Sequence, residues 1–359
     1  MSKAAELAAL IGSQTAQGNK NLIINGAMNV AQRSTSVTGN TAGGYLTCDR
    51  INFVHNMGTW TVTQSSDAPS SEGFLNAYRI DCTTADTSVA ATDYLLVQQK
   101  IEGQNLQTLR KGTSSAKSVT LSFFVKSNTT GNFVVELYDS DNSRQISALY
   151  TISSANTWEK KTVTFAGDTS GTFGDDSGES LQINWWLGAG SNYTSGTLNT
   201  SWASATTANR VVGTQNLAAS TDNDWAITGV QLEIGNVATA FEHEDIGTTL
   251  AKCQRYYFRW TADSTYDAAV AGFCMNSTQA YGVYNMPVRM RNAPTMSVGG
   301  LWNIFTVGEQ AASGFSLNRS QPDTVMTYMT ASSGLTTGAG CLMRTNNDDD
   351  AYFEFIAEL

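Results

Sequence analysis

The chain has 359 residues, of which 41% are hydrophobic and only 14% charged, and 31 acidic against 21 basic side chains give a formal charge of −10. That length suits two domains with ample core, and an acidic balance without a basic stripe excludes a surface built to grip a phosphate backbone. No run of about 18 apolar residues occurs, which excludes a membrane-spanning helix, and the N-terminus lacks an apolar signal region, so synthesis in the cytoplasm is expected.

Ser2 is placed to cap a helix from Lys3 to about Ile11, with Ala4, Leu7 and Ile11 at i, i+3 and i+7 and Gly12 as a stop. So short a helix is marginal alone. It packs either in a short parallel trimer or docking peg, which makes Ala4, Leu7 and Ile11 the candidate attachment residues, or back on its own domain. Ser13 to Lys20 reads as a polar linker.

From Asn21 onward, period-two alternation recurs between turn signals, the pattern of an antiparallel β-sandwich. Trp60 and Val62 make one run, and Tyr78, Ile80 and Cys82 another. Leu95, Val97, Gln99 and Ile101 share a face, as do Val119, Leu121, Phe123 and Val125. Phe133, Val135 and Leu137 lead to Asp139, where DSDN turns the chain before Ile146, Ala148 and Tyr150. Val163 and Phe165 follow, then Leu181, Ile183, Trp185 and Leu187, the most apolar face.

Alternation is lost between Gly188 and Asn223, a long excursion for a compact domain. Two roles are open to its large side chains, Tyr193 and Trp202: anchoring the excursion to the sandwich, or stacking on a sugar face beside Ser, Thr and Asn. Trp225 and Ile227 then have odd parity but Val230, Leu232 and Ile234 even parity, so the strand is expected to bulge at Gly229. Asn236 to Glu244 reads as an extended connector, Asp245 as the cap of a short helix through Leu250, Ala251 and Cys253, and the aromatic run from Tyr256 as a new strand.

The remaining residues alternate again: Ala280, Gly282, Tyr284, Met286 and Val288, then Met296 and Val298, and finally Phe353, Phe355, Ala357 and Leu359. The expected fold is therefore all-β, two tandem antiparallel β-sandwiches of jelly-roll type after a short N-terminal α-helix. The boundaries are 1–20 for helix and linker, 21–240 for the large sandwich, 241–254 for the connector and 255–359 for a C-terminal domain. In that last domain Trp302, within GGLWNIF, is either a candidate aromatic for glycan stacking or a core or interface tryptophan.

Catalytic patterns are scarce. The two histidines, His55 and His243, lie apart from any nucleophile motif, and neither GxSxG, HExxH nor a phosphate loop occurs. No enzyme activity and no cofactor are expected. Asp139 with Asp141, Asp175 with Asp176, and Asp348 to Asp350 could offer oxygens to calcium, but without the spacing of a calcium loop they read as solvated turns. Five cysteines without a CxxC read as buried free thiols.

Several ordered stretches carry a family resemblance. NLIINGAMNVAQR (Asn21–Arg33), CDRINF (Cys48–Phe53), QQKIEGQNLQTLRKGT (Gln98–Thr113), VTLSFFVKS (Val119–Ser127), NTWEKKTVTF (Asn156–Phe165), and GVQLEIG, ATAFEH and LAKCQRYY at the junction together resemble a β-sandwich module of tailed-bacteriophage fibre proteins, especially marine ones. Asn21–Arg33 resembles that module's first strand and turn. Its NGAM also resembles the NGxFE-like opening of carbohydrate-binding jelly rolls, whose glutamate can help hold a structural calcium; Met28 and Asn29 offer no carboxylate for it. CQRYY followed by MRNAPT is similar to fibre tips. The resemblance implies a virion protein assembled in the host cytoplasm and released by lysis, a homotrimeric tail fibre. Residues 1–20 would join other phage structural proteins, the large sandwich would act as shaft, and the last hundred or so residues would meet a bacterial surface glycan or protein. A head fibre or virion connector, or a polysaccharide depolymerase, are the alternatives it leaves. Neither nucleic acid nor membrane insertion is implied.

Overall fold

The computed structural model describes residues 20–359. The helix expected around Ala4, Leu7 and Ile11 lies outside the described residues. The chain is all-β and divides into two units, Met1–Asp245 and Ile246–Leu359.

In unit 1 the strands are β1 (Ser36–Asn40), β2 (Gly44–Tyr45), β3 (Asn52–His55), β4 (Thr59–Ser65), β5 (Ala77–Thr84), β6 (Tyr94–Glu102), β7 (Val119–Ser127), β8 (Gly131–Asp139), β9 (Arg144–Ile152), β10 (Glu159–Phe165), β11 (Glu179–Ala189), β12 (Ala203–Ser204) and β13 (Asp224–Ile234). They pair antiparallel into a six-stranded sheet, β1-β4-β5-β13-β7-β10, and a seven-stranded sheet, β12-β9-β8-β11-β6-β3-β2. The apolar parity of each strand faces the other sheet: Trp60, Val97, Phe123, Val135, Ile183, Trp185 and Trp225 share one core. Fully burying side chains of this size contributes roughly 1.5–3 kcal/mol each, and that is what holds the two sheets face to face.

One glutamine and one asparagine amide complete this core. Gln99 faces it at 1% exposure, and its amide both accepts from Ile24 N–H (2.9 Å) and donates to Ile24 O (3.0 Å). That exchange holds residues 20–35, which form bends and turns rather than the strand expected there; the first strand begins at Ser36. The cause is backbone geometry. Asn25 and Met28 have φ of 60° and 57°, and the Asn25 amide is spent on Val30 N–H, Val30 O and Asp49 O at 2.9–3.0 Å. The polar hub at this opening is thus made by a side-chain amide.

Gly229 sits where the pairing register of β13 on β7 shifts, between Thr228 and Gln231, with φ of 61°. A Cβ there would lie 2.7 Å from Phe74 Cζ and 3.0 Å from Phe124 Cδ2. Gly229→Ala is therefore expected to destabilise unit 1 by about 1–3 kcal/mol, read as a lower denaturant midpoint for the tryptophan fluorescence of the sandwich core. An unchanged midpoint would mean that the bulge carries no such constraint.

Unit 2 opens with the helix Ile246–Gln254, directly after Asp245. Its strands are β14 (Tyr257–Thr261), β15 (Ala268–Cys274), β16 (Gln279–Asn285), β17 (Thr295–Gly299), β18 (Trp302–Phe305), β19 (Glu309–Ser320), β20 (Thr324–Ala331), β21 (Gly340–Thr345) and β22 (Tyr352–Ile356). The expected second sandwich takes the form of a three-stranded sheet, β14-β22-β17, beside a closed six-stranded barrel, β15-β16-β20-β19-β18-β21. Strict alternation builds it: every second residue of β20 is buried. Phe258, Trp302, Ile304, Phe315, Met329, Met343 and Phe353 form its core. β16 ends at Asn285, before Met286 and Val288, and β22 ends at Ile356, three residues short of Leu359. All five cysteines are buried and free.

Candidate functional site

Because β6, β8 and β11 put one parity into the core, the other parity lies on the outer face of the seven-stranded sheet. Pairing lines that parity up in rungs. Trp186 pairs with Leu96 and Val134, an apolar rung. The next rung is polar: Asn52, Gln98, Asn184, Glu136 and Ser147 pair in turn across five strands. So is the one after it, Lys100, Gln182, Tyr138 and Gln145.

The excursion after β11 covers the apolar rung. Val211 packs with Leu96, Val134 and Trp186 there, joined by Tyr193 and Leu198. Tyr193 lies in the short helix Ser191–Thr194, its ring 5.4 Å from Trp186 and 6.4 Å from Tyr94. It anchors the excursion onto the sheet. The two polar rungs have the half-buried Asn52, Lys100, Tyr138 and Gln182 on them.

A single hydrogen-bonded network fixes these rungs. Glu136 is fully buried, and its carboxylate accepts from Arg210 Nε and Nη2 (both 2.8 Å), Asn184 Nδ2 (3.0 Å) and Trp186 Nε1 (3.0 Å). Gln98 Nε2 donates to Asn184 Oδ1 (2.7 Å) and Gln182 Oε1 (2.9 Å). Arg210 also lies over the Tyr138 and Trp186 rings, 4.9 and 5.1 Å from their centroids. Burial works against the Arg210 charge, but Glu136 outweighs it and raises the guanidinium above its usual value. At the far edge Lys100 Nζ pairs with Glu179 at 2.7 Å. Burial pushes the Glu179 carboxyl up, yet Lys100, Ser140 and Gln182 together hold it below the carboxylate range. Lys100 and Arg210 thus each have an opposite partner, and what the face offers is side-chain amide and phenol groups held in place by their neighbours.

Beyond the last rung, Lys111 is enclosed. Its Nζ meets Asp139 Oδ2 (2.5 Å), Asp168 Oδ2 (3.1 Å), Ser170 O (2.8 Å) and Gly171 O (2.9 Å), with the Phe173 and Trp202 rings 5.2 and 5.4 Å away. Asp139 is fully buried. It is therefore neither a solvated turn residue nor a free calcium ligand, because an ammonium already occupies it. Among the described residues, no group of three or more His, Cys, Asp and Glu side chains is arranged to hold a metal ion.

Trp202 donates its indole N–H to Ala166 O (2.7 Å) and packs on the sandwich core, an anchor like Tyr193. Trp302 cannot offer a stacking face: it is 5% exposed, with Phe315, Trp260 and Phe353 rings 4.8, 5.7 and 6.1 Å away. Its indole N–H goes to Gly299 O at 3.0 Å. Of the two roles left open for Trp302, a projecting tip aromatic or a core tryptophan, its burial fits the second. Gln98, Lys100, Glu136, Tyr138, Gln182, Asn184 and Arg210 were not singled out by sequence reasoning. The available signal was that the parity opposite the core on β6, β8 and β11 carries planar polar groups in three separate strands.

No family model matches the chain, and no curated protein matches it. Solved structures do. The enzymatically active domain of Bacteriophage CBA120 tailspike protein 4 is 13% identical over 60% of this chain, with a TM-score of 0.30; the chain spans only 22% of that chain's length. A putative sugar binding protein from Bacteroides thetaiotaomicron is 14% identical, covering 60% of this chain and 100% of that one at a TM-score of 0.31. A family 11 carbohydrate-binding module from Clostridium thermocellum, in complex with a mixed-linked tetrasaccharide, is 12% identical over 60% and 94% of the two chains, at 0.25. At such identities and scores, what the site does rests on its own geometry.

Proposed function

We propose that this protein is a non-catalytic glycan-binding subunit of a homotrimeric phage fibre, carried on the virion, and that unit 1 holds an uncharged segment of bacterial surface polysaccharide on the outer face of its seven-stranded sheet. The two polar rungs carry the reading. Half-buried Gln182 carries both a donor and an acceptor, the dual character of sugar hydroxyls, and the buried Gln98 and Asn184 amides hold it in place. Tyr138 adds aromatic surface. The internal pairing of Lys100 and Arg210 leaves no spare charge to reward an ionic ligand. Central strands hold these groups rigidly, so little ordering cost falls on binding. The ordered motifs quoted above support the fibre assignment. Three weak sites on one particle would give avidity without a tight single site. On this reading unit 1 takes part in receptor contact, beside any contact made by the last hundred residues.

Titrating the full chain with a panel of neutral bacterial polysaccharides by calorimetry tests the site. Tyr138→Ala and Gln182→Ala are each expected to weaken binding tenfold or more, about 1.4 kcal/mol. Wild-type affinity in both variants would refute the location. Light scattering of the purified chain tests the fibre assignment separately: a mass of three chains supports it, and a stable monomer removes it.

A further inference from the structure

Unit 2 carries a hollow that the reading above does not use. It measures about 330 Å³ and is bordered by Leu301, Trp302, Ser313, Gly314, Phe315 and Asn346 together with small neighbours. The hollow exists because the wall on β19 is nearly free of side chains: a Cβ at Gly314 would meet nothing within 4 Å. Its floor is the remaining surface of Trp302 and Phe315, whose rings pack at 4.8 Å. Leu301, 62% exposed, stands at the rim.

Two polar groups break this apolar lining, and both have capacity left. Asn346 Oδ1 accepts from Asn303 Nδ2 at 3.3 Å, which orients the amide and leaves Asn346 Nδ2 without a protein partner among the described residues. Ser313 Oγ directs its proton to Thr330 O at 3.1 Å, leaving its lone pairs free to accept. The lining has no charged side chain.

We infer that this hollow binds the acetamido group of an uncharged N-acetylated sugar. The methyl meets the apolar floor, the carbonyl accepts from Asn346 Nδ2, and the amide N–H donates to Ser313 Oγ. A plain hydroxyl in the same place has no methyl to cover the apolar floor and sets a polar group against it, so discrimination against the non-acetylated sugar follows. Leu301 at the rim covers the apolar face of the ring. A hollow of this size takes a single residue, and affinity for the free monosaccharide is expected in the millimolar range.

Saturation-transfer NMR on the full-length protein, with N-acetylglucosamine as probe and glucose as comparator, tests this. The acetyl methyl protons are expected to receive the strongest transfer, with saturable binding at least tenfold tighter than glucose. Gly314→Leu fills the hollow from a position with open space, and Asn346→Asp keeps the acceptor for Asn303 while removing the donor. Each is expected to weaken N-acetylglucosamine binding at least tenfold with thermal unfolding unchanged, while Tyr138→Ala leaves it intact. No saturable binding, equal binding of glucose, or binding that survives Gly314→Leu overturns the inference. Loss in Tyr138→Ala with retention in Gly314→Leu assigns the sugar to unit 1 instead, and overturns it while sparing the proposed function.

Discussion

Lys111→Met is expected to destabilise unit 1 by about 3–5 kcal/mol, the usual result of removing one partner from a buried ionic cluster, and to be the most damaging single substitution in the sandwich. Methionine keeps an apolar stem of similar length, so the loss reports the charge, including its attraction to the Phe173 and Trp202 rings. Without the ammonium, Asp139 is left buried with the neutral Asn142 N–H and Nδ2 as donors, and Asp168 keeps Arg144 (2.6 and 3.0 Å). Urea unfolding followed by tryptophan fluorescence measures it. A change below about 1 kcal/mol would mean that water relieves the two carboxylates.

Acid has a related, smaller effect. Burial raises the Asp168 carboxyl, but Arg144, Ser170 N–H and Lys111 outweigh it and hold it below its ordinary value. A depressed carboxyl stabilises the fold above its unfolded-state pKa, about 3.9, and that contribution is lost as pH falls through the folded value. Unit 1 should therefore lose stability below about pH 4, and Asp168→Asn should flatten that part of the curve.

Arg210→Met is expected to cost about 3 kcal/mol. Glu136 would remain fully buried, with Asn184 Nδ2 and Trp186 Nε1 as its neutral donors. Because Arg210 also ties the excursion to the sheet, limited proteolysis should cut between residues 190 and 223 before the strands. The double variant Arg210→Met, Glu136→Leu separates charge from packing: it should recover most of the lost stability yet still bind glycan poorly, since Asn184 and Trp186 lose their shared acceptor. Recovery of both would mean that the network contributes only to folding.

Much of unit 1 was legible because alternation is local. The core parity of β6, β7, β8 and β11 and the bulge at Gly229 follow from residues two apart. The outer rungs were not legible in the same way. Their parity could be read, but their alignment depends on register between distant strands: Gln98 meets Gln182 and Asn184 across 84 and 86 residues, and Arg210 reaches Glu136 across 74. Lys111 was hidden for the same reason, since its oxygens come from residues 139, 168, 170 and 171. Residues 21–33 misled in the opposite direction. Their resemblance to the module's first strand and turn implied a strand, but Asn25 and Met28 are left-handed and the Asn25 amide is spent on turn hydrogen bonds, so only the turn is formed.

The oxygen cage around Lys111 resembles an ion site in which the ion is part of the polypeptide. A dissociable cation stabilises a fold by mass action, so its contribution falls as the medium is diluted or a chelator competes. A cation joined to the main chain through a four-carbon stem has no such dependence. That makes this corner of the sandwich indifferent to whether the surrounding medium supplies a free cation.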